Sequence, residues 1–221
     1  MKCSSSKTST ISFATVSVTA LVCFLLLGVT RSAAAAAAET QATTTPVSVT
    51  AARDGDEAAR SWFTESILLD QRGRELKFYS DVLKDQVVVV NFIFTRCPGT
   101  CPVQTAKMSE LYKELGGEMG RTVRFVSISV DPDNDTPAKL LEFADRYKAG
   151  DGWFFLTGEQ KSLDQVTRRL GAHNSLAEAH SPLFLLGNVS REHWVKMRPS
   201  ASVATLAGEV RKLLAVDKED G

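Results

Sequence analysis

The sequence predicts an α/β fold in which a mixed central sheet is flanked by helices and preceded by an N-terminal hairpin. Three observations lead there. Residues 87–94 and 123–130 form two largely apolar, β-branched runs, the pattern of strands covered on both faces. Segments of helical period alternate with these runs. The composition of the 221 residues, 43% hydrophobic and 24% charged with 14 Gly and 7 Pro, is that of a globular protein. With 26 Lys+Arg against 26 Asp+Glu, the chain lacks the cationic excess that phosphate neutralisation demands, which argues against nucleic-acid binding.

The elements follow in order. Residues 62–69 and 76–78 read as a short hairpin turning through Asp70-Gln71-Arg72-Gly73, with the glycine supplying the turn. Residues 87–94 are the central strand. A helix over 105–115 is marked by Met108, Leu111, Tyr112 and Leu115 and stopped by Gly116-Gly117. The second buried strand, 123–130, closes at Asp131-Pro132. Thr136-Pro137 then opens a helix with a capping side chain and a proline in its first turn, continued by Leu140, Leu141, Phe143 and Tyr147. Strand 153–156, helix 162–170, antiparallel strands 183–186 and 193–197, and a closing helix over 202–214 complete the series. A parallel first half followed by an antiparallel second half fits an α/β sandwich of thioredoxin type.

Two segments precede this domain. Lys2 and Lys7 lie in a Ser/Thr-rich start, residues 11–30 carry no charge, and residues 33–38 are all alanine. Basic start, apolar core and small-residue tract are the order of an export signal; an uncleaved membrane anchor is the alternative, since the uncharged stretch can span a bilayer. Residues 1–38 are therefore predicted to be a signal peptide or anchor, and the domain to face the far side of a membrane. The segment's shape suits the periplasm or the periplasmic face of a bacterial inner membrane, with the mitochondrial inner membrane as the alternative. Residues 39–60, made of Thr, Ala, Pro and charge without an apolar period, are predicted to be a flexible linker, and residues 61–217 the domain. Residues 1–38 hold three basic side chains and no acidic one, so the remainder is mildly acidic.

Of the 4 Cys, Cys3 and Cys23 fall in the first segment, leaving Cys97 and Cys101 in Cys97-Pro98-Gly99-Thr100-Cys101-Pro102. A structural disulfide across so short a loop constrains few residues of the unfolded chain. The pair lies between a buried strand and the helix after it, where helix N–H groups and the macrodipole favour thiolate. Such thiolates exchange disulfides or hold a soft metal. Three intervening residues bring the sulfurs within reach of a single ion; soft sulfur selects Cu(I), and an imidazole as third ligand lets the site hold Cu(II) as well. Three histidines are available. His193 lies in a strand beside Trp194, and His173 in a polar loop. His180 stands just before the strand at 183–186, whose entry loop in this fold abuts the cysteine loop, and is the candidate third ligand. Asp131, at the C-terminal edge of a buried strand, is a candidate to orient a ligand or tune a thiol, the alternative being a turn residue before Pro132.

Phe94-Thr95-Arg96-Cys97-Pro98-Gly99-Thr100-Cys101-Pro102, the block Val130-Asp131-Pro132-Asp133-Asn134-Asp135-Thr136-Pro137, and His180 before a strand together resemble the SCO/SenC family. The resemblance implies a thioredoxin-fold copper-binding metallochaperone with Cu(I) or Cu(II) held by Cys97, Cys101 and His180. It further implies delivery of copper or reducing equivalents to the copper centre of a respiratory oxidase or similar cuproenzyme. Two positions depart from the family's habit: Gly99 replaces an acidic residue in the cysteine loop, and Glu178-Ala179 replaces Val-Asp before His180. The other reading of the same cysteines is a metal-free thiol-disulfide oxidoreductase acting on exported proteins, in which Cys97 and Cys101 are the catalytic pair.

Overall fold

The computed structural model describes residues 49–172 and 183–215, with side chains from Asp56 onward. All of them belong to one compact unit, Pro46–Gly221; the other unit, Met1–Thr45, lies outside the described residues and with it the predicted export segment.

Five strands form the central sheet: β3 (Val87–Ile93), β4 (Val123–Ser129), β5 (Trp153–Leu156), β6 (Phe184–Asn188) and β7 (His193–Met197), in the order β5-β4-β3-β6-β7. β3, β4 and β5 run parallel, and β6 and β7 are antiparallel additions on the other side of β3. The expected parallel-then-antiparallel sequence is thus present. Alternation along β3 explains its unbroken apolar run: Val87, Val89 and Ile93 enter one core, Val88 and Val90 the other. The first core is closed by α2 (Thr100–Leu115), α3 (Pro137–Arg146) and α5 (Val203–Ala215), through residues such as Met108, Phe143 and Leu206. The second is closed by α1 (Val49–Phe63) and α4 (Gln160–Arg169).

Several boundaries differ from expectation for physical reasons. Residues 49–60 are helical in α1, where composition predicts a linker. That helix is docked by tertiary contacts of its last turns: Ala59 and Phe63 are buried, the Phe63 ring lies 5.3 Å from that of Trp194, and Asp56 accepts the Tyr79 hydroxyl at 2.7 Å and pairs with Lys84 at 2.9 Å. No local apolar period announces it. Trp62 consequently ends a helix and does not start a strand, and the hairpin contracts to β1 (Ile67–Leu69) and β2 (Glu75–Lys77). The polypeptide then makes a π-type turn, Phe78–Leu83, that buries Phe78, Tyr79, Val82 and Leu83; Arg124 of β4 donates to the Asp81 and Val82 carbonyls left open by it.

Gly73 turns the hairpin at φ 76°, as expected, and buried Asp70 locks it by accepting from the N–H groups of Arg72 and Arg74 and from the Arg74 side chain. Gln71, the next residue, reaches the open edge of β5: its Nε2 donates to the Trp153 carbonyl and its Oε1 accepts from Phe155 N–H, both at 3.0 Å. Among the described residues no helix is long and apolar enough to cross a membrane.

Candidate metal centre

β3 and β4 run side by side as far as the Ile93–Ser129 pair, with one more bond from Val130 N–H to the Ile93 carbonyl. Beyond it the chain from β3 turns through residues 94–99 into α2. Gly99 caps α2 and has no side chain to offer the helix's open N–H groups. The Cys97 sulfur supplies what the glycine lacks, accepting Cys101 N–H at 3.4 Å. Cys97 therefore stands just ahead of the helix, and Cys101 is its second residue. Pro102 follows inside the first turn, where a missing N–H costs no intrahelical bond.

Both thiols are free, and each is largely covered: Cys97 is 9% exposed and Cys101 3%. Their protonation is pulled in opposite directions. Burial pushes the Cys97 thiol up, but hydrogen bonds from the Cys101 thiol, from the N–H groups of Cys101 and Gly99 and from the Thr100 hydroxyl outweigh it and hold Cys97 below the ordinary thiol range. Cys101 is pushed up to about 12 by burial and by its hydrogen bond to Cys97. The arrangement is a nucleophilic outer sulfur backed by a protonated inner one.

Asp131 turns outward. Its carboxylate accepts from Arg96 at 2.9 Å and from Asn134 at 2.8 Å, which lowers its pKa, and its own carbonyl accepts Asn134 N–H and Asp135 N–H as in a tight turn. Among the described residues no hydrogen bond joins it to either cysteine; its connection to Cys97 runs through the neighbouring Arg96. The carboxylate that reaches inward is Asp135, fully buried, which accepts the Thr95 hydroxyl at 2.6 Å, the Thr95 N–H at 3.1 Å and the Ser129 hydroxyl at 2.6 Å. Sequence reasoning missed it. The available sign was an acid four residues after Asp131, immediately before the Thr136 cap.

His173 and His180 lie outside the described residues. His193 is exposed on the edge strand β7, opposite Asn188. The described residues contain no cluster of three or more His, Cys, Asp or Glu able to hold a metal. What they contribute is a pair of soft donors, which suits a thiophilic ion such as Cu(I) and leaves further coordination to another ligand.

The SCO1/SenC family model matches residues 56–215 of this chain, a span holding the cysteine pair and every sheet strand. The chain belongs to the SCO1/SenC family. Against individual members it is 44% identical over 94 residues to the SCO1 protein homolog of Bacillus subtilis, an alignment covering 42% of this chain and 47% of that one. It is 33% identical over 104 residues to a Stutzerimonas stutzeri protein named as copper-binding, covering 47% of this chain and 49% of that one. The chain spans about half the length of the curated relatives it matches. Among solved structures it is similar to BsSco, described as a member of the Sco family of cytochrome c oxidase assembly proteins with a disulfide switch: TM-score 0.57, 29% identity, 68% of this chain and 92% of that one. The thioredoxin-like fold of this SCO1/SenC chain agrees with that likeness.

Proposed function

We propose that this SCO1/SenC protein is a copper metallochaperone whose reduced Cys97 and Cys101, with His180 as third ligand, carry copper as cargo to the copper centre of a respiratory oxidase or similar cuproenzyme. The observation that carries the reading is the sulfur pair itself: two free, adjacent thiols at a helix start, one tied to the other's N–H, inside a chain that belongs to this family. Cu(I) replaces the thiol protons, and the partial positive charge of the helix terminus favours the resulting thiolates. Cys97, the more exposed, is the sulfur from which a recipient's ligand takes the ion by exchange. Residues 1–38 place the protein on the outer side of a membrane as signal or anchor, ahead of a domain ending near residue 217.

A second reading is favoured by the opposed protonation of the two thiols. As an oxidoreductase, the Cys97 thiolate attacks a partner disulfide and displaces one partner thiolate. Cys101 then gives up its proton and attacks the Cys97 sulfur, so the partner leaves as a dithiol and the chain retains a Cys97–Cys101 disulfide. Two electrons pass to the partner.

Anaerobic Cu(I) titration of the reduced protein, with His180→Ala, Cys97→Ser and Cys101→Ser alongside, separates the readings. The chaperone reading expects one tightly bound ion in the wild type and loss of tight binding in all three variants. Undiminished binding in His180→Ala, with disulfide reduction confined to the two cysteines, overturns it in favour of the oxidoreductase.

A further inference from the structure

We infer that Asp135 is the positioning residue of the cysteine loop: its buried carboxylate takes over where the β3–β4 ladder stops and fixes the backbone that presents Cys97 to Cys101. The inference rests on the reading of these two cysteines as the working site.

Ladder bonds between the two strands end at Ile93 and Val130. Thr95 lies two residues past Ile93 and two before Cys97, where the strands no longer pair. Its N–H and hydroxyl both go to Asp135, the N–H shared between the two carboxylate oxygens at 3.1 and 3.2 Å. The second oxygen also accepts the Ser129 hydroxyl, and Ser129 in turn accepts Asp131 N–H at 3.1 Å. One carboxylate thus joins the last residue of β4, the turn after it and the loop leading to the sulfur. The two hydroxyl contacts are short, at 2.6 Å. Among the described residues no cation pairs with Asp135, although its side chain is fully covered. Burying a carboxylate on hydrogen bonds alone is costly, so the donors around it must repay that cost. What distinguishes the carboxylate is acceptor capacity: four lone-pair directions and no donor, against three donors that converge on it.

The Thr95 peptide is held from within by Asp135, while the Cys97 sulfur is held from the helix side by Cys101 N–H. Between these two fixed points lies a single residue, Arg96, whose own guanidinium is tied to Asp131. Asp131 and Asp135, four residues apart, therefore restrain successive residues before Cys97: the exposed Arg96 from outside, the half-buried Thr95 from inside. Releasing Thr95 lets Cys97 wander and lowers the effective concentration of one sulfur at the other. Both a shared metal ion and a Cys97–Cys101 disulfide depend on that concentration.

The test uses the full chain carrying Asp135→Asn, Thr95→Val, the double variant and, as a control, Val166→Ala, whose cavity lies in the core on the other face of the sheet. Cu(I) affinity is measured by competition with a chromophoric chelator, the dithiol–disulfide equilibrium against glutathione, and stability by urea. Asp135→Asn and Thr95→Val are each expected to weaken Cu(I) binding about tenfold, the usual effect of removing an outer support of a ligand. Both should also make the disulfide about tenfold easier to reduce, about 30 mV for a two-electron couple. The double variant should be no worse than either single one, and Val166→Ala should lose stability while leaving both quantities alone. Wild-type values in Thr95→Val, or equal shifts in Val166→Ala, overturn the assignment. Failure of the wild type to bind Cu(I) overturns the metal reading separately, since the glutathione equilibrium still tests the clamp.

Discussion

Reduced protein exposed to a small alkylating agent such as iodoacetamide, at about pH 8, should be labelled at Cys97 well before Cys101. With its thiol pushed up to about 12, Cys101 is thiolate in about one molecule in ten thousand at that pH. A thiol held below the ordinary range, as Cys97 is, is thiolate in a far larger fraction of molecules. A thiolate of lower pKa is intrinsically less nucleophilic, but with a Brønsted slope of about 0.5 this offsets only part of the excess of reactive form and leaves Cys97 the faster of the two. Burial adds in the same direction, since Cys97 is 9% exposed and Cys101 3%. Arg96 and Lys107 bound a tryptic peptide containing both residues, so fragment ions between them assign the label after a limited reaction. Equal labelling of the two, or Cys101 ahead, would refute the argument that hydrogen bonds to the Cys97 sulfur outweigh its burial.

Three further outcomes are expected. Asp70 is held below the usual carboxylate range because bonds from Arg72 and Arg74 outweigh its burial; its contribution is full above the unfolded carboxylate value and is lost as pH falls toward the lower folded one. Asp70→Asn should flatten that part of the acid limb in a urea-stability profile against pH, and a limb identical to wild type would contradict it. Gly152, at φ +80°, leaves no room for a Cβ, which would lie against the Gly120 nitrogen and 2.6 Å from the Gly120 Cα; Gly152→Ala should cost about 3 kcal/mol in urea unfolding, and a loss below about 1 kcal/mol would show that the two turns part easily. Thr136 caps α3 by accepting Lys139 N–H at a long 3.4 Å, so Thr136→Ala should cost about 0.5 kcal/mol, at the low end for such caps; no measurable change would mean the bond contributes nothing.

What the sequence made legible was what depends on local pattern. β3, β4 and α3 were readable because strands covered on both faces need an unbroken apolar run, and because Thr136-Pro137 carries its helix start within two residues. The cysteine pair was readable for the same reason. α1 was hidden, since what docks it is Phe63 against Trp194 and Asp56 against Tyr79 and Lys84, partners far along the chain. Neither the opposed protonation of the two sulfurs nor the inward turn of Asp135 could be read from residue order. Both are decided by which donors the loops aim at them. Asp131 was the natural choice beside Pro132, yet the tight turn it initiates sends its own side chain out to Arg96 and that of Asp135 inward.

The side chain of Gln71 has a consequence for how molecules of this protein meet one another. By presenting one donor and one acceptor to the Trp153 carbonyl and the Phe155 N–H, it imitates the backbone of an absent sixth strand. A bare margin there would be a template for a neighbouring molecule's backbone and so for the start of a fibril. With those groups already spoken for, lateral growth is blocked on that flank, and the hairpin carrying Gln71 works as a guard rail against self-association.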